Sequence, residues 1–492
     1  MSQSVAGGTL YLVFFGILSK LLGFFREMLT AALFGTSWRM DSVSIVIDPI
    51  GLIAALLSGA SARILIPMYI EMRRESPRKA GEFAWSVLLV ISSVYFGIGI
   101  LLLLFPEGVV KIFAPGFSKE MVEYSARKLR YLAFLPIVLA GQQILTAILR
   151  SQRKFREVAL SGALFNVFTI PVIYAFAPVL SEASYILAWM IGQTFVGLAL
   201  LIQSRRFLKP TLHIPRKEMR EFFRGVVPIS LATSLAAVNN VVDKAFVSLL
   251  PAGRVASLKY SQILIWFVNA VIGYFILASY TELSERSVLG DFEGTQERMR
   301  KTIQSSLNVA IPTAAWLATM SERVVSLVYQ RGAFNERSTE LVSAALVGYS
   351  LLVVLAPVRT VMTDYLVLKK RYSLITALSF SSVGLNALLD WIFLKPFQHA
   401  GIALSTSVVV FVLTVITGII LRRYGLRVIP WKRILHSSVL SSPIVVLALL
   451  TSGVIRMVVV NSVFVVVFFL SARREIRAVY TKTLDFLRRM IG

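Results

Sequence analysis

Cysteine is absent from this 492-residue chain. Disulfides, thiolate metal sites and a cysteine nucleophile are therefore excluded, and the absence says little about compartment. Histidine is scarce. His213, His399 and His436 lie far apart and make no ligand spacing, so no metal and no resident cofactor is expected. Acidic residues number 26 against 51 lysines and arginines, a formal net charge of +25. Long polar stretches are missing too, and with them any inserted soluble domain, Gly-rich phosphate loop or ATP-binding motif.

What is present is apolar. The chain is 56% hydrophobic, with a mean hydropathy of +0.74. Apolar runs of about twenty residues, the length that crosses a bilayer, recur to the end. An all-α polytopic membrane protein is expected. Its first helix is too long for a cleavable signal peptide and leads to no small-residue cleavage site. Fourteen spans are expected, near 5–34, 41–70, 81–105, 124–149, 155–180, 183–204, 222–250, 254–284, 299–329, 338–368, 371–397, 400–422, 432–454 and 456–472. Several are nearer thirty residues than twenty, which implies tilt or protrusion into water.

A charge of +25 would suit nucleic acid, but its distribution suits a membrane instead. Basic clusters fill every second connection: "RRESPRK", "RSQRKFR", "RRFLKPTLHIPRKEMREFFR", "ERMRK", "KKR", "RRYGLR" with "WKR", and "RREIR". Intervening connections such as "APVLSEAS" and "LKPFQHAG" are nearly neutral. By the positive-inside rule both termini are cytoplasmic, and the alternation independently supports an even number of spans. The tail, 473–492, reads as a basic amphipathic helix on an anionic leaflet or, alternatively, as a solvated tail.

The chain also repeats itself. "GVVKIFAPGFSKE" (108–120) resembles "RVVSLVYQRGAFNE" (323–336), and each is followed by a span ending in a basic cluster with an aromatic, "SQRKF" and "LKKRY". Asn166 and Asn386 come next. At an offset of 218, Arg26 falls on Lys244 and Gly35 on Gly253. The expected organisation is a six-helix lobe at 1–210, a second at 211–424, two extra helices at 425–472 and the tail at 473–492. Transporters built from parallel repeats bind substrate between their bundles near the midplane.

The first span contains "SKLLGFFREM" (19–28), with Lys20, Arg26 and Glu27 in an otherwise apolar helix. A charge at the bilayer centre costs about 3 kcal/mol on insertion scales and is tolerated where it faces a bundle interior or a wet cavity. Lys20 and Glu27 are two turns apart and share a face; Arg26 lies about 100° round. Span 2 adds Asp48 and Arg63, span 7 Asp243 and Lys244, span 8 Lys259, span 10 Arg359 and Asp364, and span 11 Asp390. Structural pairing, Arg26 with Asp48 or Arg359 with Asp364, is one reading of these charges. For the first-span cluster the excess of positive charge favours a cavity for an anionic group, and arginine and lysine suit phosphate or diphosphate.

These features together resemble the MurJ/MviN lipid II flippases of the multidrug/oligosaccharidyl-lipid/polysaccharide exporter superfamily. The resemblance rests on "SKLLGFFREMLTAALFG" with Arg26, on Asp41 at the start of span 2, and on "VVDKAFVSLLPAGRVASLKYS" (241–261), "LVYQRGAF" (327–334) and "HAGIALSTS" (399–407). It implies alternating-access export of lipid II, the undecaprenyl-diphosphate-linked peptidoglycan precursor, across the bacterial cytoplasmic membrane. It implies that arginines in a cationic cavity of the N-terminal bundle hold the diphosphate. On the charges present, Arg26 assisted by Lys20 is expected to hold it, with Arg63 as a further cation and Lys244 and Lys259 approaching from the other bundle, while Glu27, Asp41 and Asp48 orient the cations. The last two spans would form a groove for the lipid tail, and a monomer is expected. Where the family carries an arginine pair in span 2, "DPIGLIAALLSGASARILIP" has Ile53 and Ala54; where span 8 carries another, "KYSQIL" has Ile263. Either Arg63, Lys244 and Lys259 take over, or the chain carries another polyprenyl-linked glycan.

A polyprenyl-sugar transferase would need acids on a substantial outer loop, and the outer connections near 106–123 and 330–337 are too short to enclose one. A cation-coupled drug antiporter would want net acidic sites and usually twelve spans. Without an ATP site, transport must draw on an ion gradient, Na+ or H+, or on membrane potential; Asp243, Asp364 and Asp390 are the candidate coupling residues.

Overall fold

The computed structural model describes the backbone of residues 5–491. Within that range it describes side chains other than those of 5–14, 55–60, 62–63, 228–229, 231–236, 274–275, 277–278, 281, 288, 474, 476 and 478–491. Arg63 and most of the basic tail therefore lie outside the described side chains. Sixteen α-helices follow one another: α1 Val5–Phe34, α2 Trp38–Glu75, α3 Pro77–Leu104, α4 Pro106–Phe113, α5 Lys119–Leu132, α6 Leu135–Ser151, α7 Phe155–Leu180 and α8 Ala183–Ser204. The rest are α9 Arg216–Val247, α10 Arg254–Val288, α11 Phe292–Tyr329, α12 Glu336–Tyr349, α13 Leu352–Leu368, α14 Tyr372–Arg423, α15 Trp431–Leu450 and α16 Gly453–Ile491. The described residues contain no strand. Among the described residues eight helical segments are long and apolar enough to cross a membrane, and the pair α5–α6, bent by 45°, makes a ninth if taken as one span.

Helix boundaries follow local chemistry. Ser76 ends α2 with an extended backbone, and its hydroxyl accepts the Lys79 amide (3.3 Å) to cap α3, which has Pro77 in its first turn. Ser37, Ser118 and Asp291 cap α2, α5 and α11 in the same way. Two expected spans are interrupted. The fourth is α5 and α6, and the tenth is α12 and α13, parted at 350–351. The eleventh and twelfth run together as α14 across a kink at Gln398 (φ +52°), two residues after Pro396. The short amphipathic α4 was not expected as a separate helix.

The chain divides into two compact units, Met1–Ala256 with Arg331–Ser338, and Ser257–Gln330 with Thr339–Gly492. This packing division does not fall at the expected lobe boundary near 210. The reason is α9, which packs along α2 and so joins the first unit. That unit's core is a cluster on α2, α3, α6 and α9, including Leu65, Phe83, Ile91, Tyr95, Ile148 and Phe222. The segment 331–338 is pinned to the same unit at two glycines. Gly35 ends α1 at φ +57°, where a Cβ would come within 2.5 Å of the Ala333 oxygen. Gly332 (φ +59°) lies as tightly on the Ala32 carbonyl, which accepts the Ala333 amide at 2.8 Å. Only glycine fits such contacts at positive φ, which accounts physically for "LFGTS" and "QRGAF". The second unit has its own core, with Met299, Ile303, Leu307, Met362 and Leu421.

Candidate functional site

In the first unit α1 lies against α7. The approach is close because Gly162 faces Ser19 and Gly23 faces Asn166. Asn166 donates its amide N–H groups to the carbonyls of Ser19 (3.1 Å) and Gly162 (3.2 Å), which fixes its orientation and aims its oxygen at α1. That oxygen accepts Arg26 Nη1 at 3.2 Å. Glu27 Oε1 accepts Arg26 Nη2 at 2.7 Å and Nε at 3.2 Å, and also the Tyr185 hydroxyl at 2.9 Å. The guanidinium carbon lies 5.0 Å from the Phe165 ring centre and 6.0 Å from that of Tyr185. The Arg26 and Glu27 side chains are 12% and 6% exposed. Adjacent residues on a helix point about 100° apart, yet a long arginine can bend back over its neighbour. Three of the five guanidinium N–H groups are thereby used and two remain.

The other expected site residues are distributed as follows. Lys20 is exposed on α1. Asp48 pairs not with Arg26 but with Lys244, whose ammonium donates to Oδ2. Lys244 was expected to approach from the opposite bundle. It belongs instead to the first unit, because α9 packs on α2. Asp41 is no cavity residue. It is 1% exposed, and its carboxylate accepts the amides of Gly253 (2.5 Å) and Ala256 (2.7 Å), capping the first turn of α10. Ile53 packs against the apolar core and Ala54 is buried, while both of their carbonyls accept the Tyr95 hydroxyl. These two positions therefore face protein.

In the second unit Lys259 sits 5.7 Å over the Tyr260 ring. Asp390 is fully buried, and accepts Asn386 Nδ2 at 3.0 Å and the Ser405 hydroxyl. Asp364 lines a cavity of about 400 Å³ with Asn269, Tyr280 and Thr360. The expected pairing of Arg359 with Asp364 is not formed, and Arg359 Nη1 is buried without a hydrogen-bond partner among the described residues. Asp243, in the first unit, is buried. Sequence reasoning missed Tyr185 and Phe165 as partners of Arg26. Asn166 was visible as a repeated residue, but its role was not.

The chain is all-α, with long apolar helices and charges held inside its helical units. Solved structures share this fold. One described as "Lipid II flippase MurJ, inward closed conformation" superimposes with a TM-score of 0.81 at 21% identity, covering 94% of this chain and 100% of that one. An inward-facing multidrug resistance MATE family transporter of the MOP superfamily gives 0.66 at 13%, covering 82% and 94%. The chain thus shares the fold of both structures. The family model described as "Lipid II flippase MurJ" matches residues 30–473. Two relatives named "Probable lipid II flippase MurJ" are each 25% identical. That of Buchnera aphidicola from Acyrthosiphon pisum aligns over 80% of this chain and 79% of its own. That of Aquifex aeolicus aligns over 80% of both. The chain belongs to the lipid II flippase MurJ family.

Proposed function

We infer that this chain translocates lipid II from the inner to the outer leaflet of a bacterial cytoplasmic membrane by alternating access. It would act as a monomer with fourteen spans and both termini cytoplasmic. The observation that carries the reading is the family match over residues 30–473. Arg26 supplies the chemistry. Its guanidinium is held by Glu27 and Asn166 with two N–H groups unspent, the donor pair that a diphosphate takes up. Lys20, exposed on the same helix, adds charge. Arg63 and Lys259 are the cations left to stand in for the arginines absent at Ile53, Ala54 and Ile263. Lys244 is engaged by Asp48 and acts through that pair. The last two helices take the lipid tail.

Transport draws on an ion gradient or on membrane potential. Asp364, which borders a cavity, and Asp390, within its hydrogen-bond network, are the acids in the second unit that can take up Na+ or H+. A second reading, another polyprenyl-diphosphate-linked glycan, is favoured by the apolar surroundings of Ile53 and Ala54. Native mass spectrometry of the purified chain, challenged with lipid II and other undecaprenyl-diphosphate sugars at equal concentration, separates the two. Lipid II is expected to be retained at least tenfold over the others. Equal retention, or preference for a different glycan, would overturn the lipid II assignment.

A further inference from the structure

The helix pair α15–α16 runs between two basic clusters, "WKR" at 431–433 and "RREIR" at 473–477. Both clusters lie at the same end of the pair, because α15 and α16 are joined by a short turn at 451–452. Twenty residues of α15 rise about 30 Å, the thickness of the hydrocarbon layer. The turn therefore sits at the opposite membrane–water boundary, away from the basic clusters of the even-numbered connections.

Two arginines are found there nonetheless. A cavity of about 240 Å³ lies between the start of α16 and α11, lined among others by Ser321, Glu322, Arg323, Ser452, Arg456 and Met457. Met320, where α11 bends, also lines it, with a backbone (φ −111°, ψ 15°) outside the helical range. Arg456 Nη2 donates to the Thr319 carbonyl at 2.5 Å, which fixes the guanidinium against the bend. Arg456 Nε is buried and has no hydrogen-bond partner among the described residues. Among the described residues Glu322 makes no ion pair with either arginine, so the cavity carries two unneutralised guanidiniums and one carboxylate. Beside its mouth the helix pair presents an apolar surface: Leu449, Leu450, Val454, Ile455 and Val458 are each more than half exposed.

We propose that this cavity is a binding site for the phosphate headgroup of an anionic membrane lipid, held by Arg323 and Arg456, with its acyl chains along the apolar face of α15 and α16. The chemistry is that of charge-assisted, fork-shaped donors on a phosphate. The volume suits a small polar headgroup, below the range of sites for drug-sized ligands. The apolar rim selects a lipid over free phosphate. The site is separate from the Arg26 cluster and does not depend on which glycan the chain carries.

The test uses the full chain in a neutral detergent. Binding of dioctanoyl phosphatidylglycerol, dioctanoylglycerol and inorganic phosphate is compared by native mass spectrometry and by thermal unfolding. The phosphatidylglycerol adduct is expected to form and to raise Tm, the other two to do neither at the same concentration. Arg323→Gln should weaken that binding about tenfold. Arg456→Gln should weaken it further, and Glu322→Gln should strengthen it severalfold by removing the opposing charge. Should Arg456→Gln fail to fold for loss of its Thr319 contact, Arg323→Gln and Glu322→Gln still decide. Unchanged affinity in both of these variants would overturn the site. Equal stabilisation by inorganic phosphate would overturn the lipid as its occupant.

Discussion

Asn166 and Asn386 occupy matching places in the two sequence repeats and serve opposite charges. In the first unit the Asn166 oxygen accepts from Arg26; in the second the Asn386 nitrogen donates to Asp390. A carboxamide can do both, because it carries an acceptor and two donors on one flat group. A repeat can therefore keep its amide while the ion beside it changes sign. The first unit holds a cation with donors to spare, suited to an anionic ligand. The second holds a carboxylate whose charge is met by neutral donors. Similarity of sequence in the two halves does not carry over to their electrostatics.

The sharpest way to break this contrast is Arg26→Ala. It strips Glu27 of its counter-ion at a site about 6% exposed, and an uncompensated buried charge costs about 3–5 kcal/mol. Melting of the purified protein should fall accordingly, and flipping in proteoliposomes should be lost. Adding Glu27→Gln should return most of the stability and none of the transport. Recovery of transport in the double variant would mean that Arg26 serves Glu27 alone. Asp390→Ala comes next. It removes the carboxylate that accepts from Asn386 and Ser405, though the Ser405 hydroxyl keeps the Ile402 carbonyl, so the cost is about 1–3 kcal/mol, and it should abolish the dependence of transport on the coupling ion while lipid binding persists. Ion dependence identical to the parent chain would remove Asp390 from the coupling role. The smallest effect is expected at Lys244→Gln. Its ion pair with Asp48 is partly exposed, so stability should change by about 1 kcal/mol or less, read as a slight shift in melting. A large loss there would shift the cationic centre from α1 toward α9.

Much of the architecture was legible because membrane helices advertise themselves by apolar length, and basic loops advertise their side. Interruptions were less so. The bend between α5 and α6 has a proline beside it, Pro136, whereas the break between α12 and α13 at 350–351 is marked only by Gly348, which the sequence offers no reason to single out from a packing glycine. At the site, the charged residues could be found and their partners could not. Asp41 binds backbone amides more than 200 residues away, and an amide has no residue type to recognise. Ile53 and Ala54 could be read as missing arginines, but not as core. The Arg26–Glu27 contact was hidden by the helical wheel, which describes where a side chain leaves the backbone and not where a four-bond arm ends.

The segment 331–338, locked onto Ala32 and Gly35, has a consequence for the order of events at the ribosome. Domains tend to fold from the N-terminus as the chain is made. Here the first unit cannot close when its own 256 residues have emerged, because its last piece is encoded beyond 74 residues of the second. Helices α10 and α11 must be inserted before α1 receives its cap. A nascent chain halted short of Gly332 would thus hold nine finished helices around an unfinished end, and the second unit must begin to assemble before the first is complete.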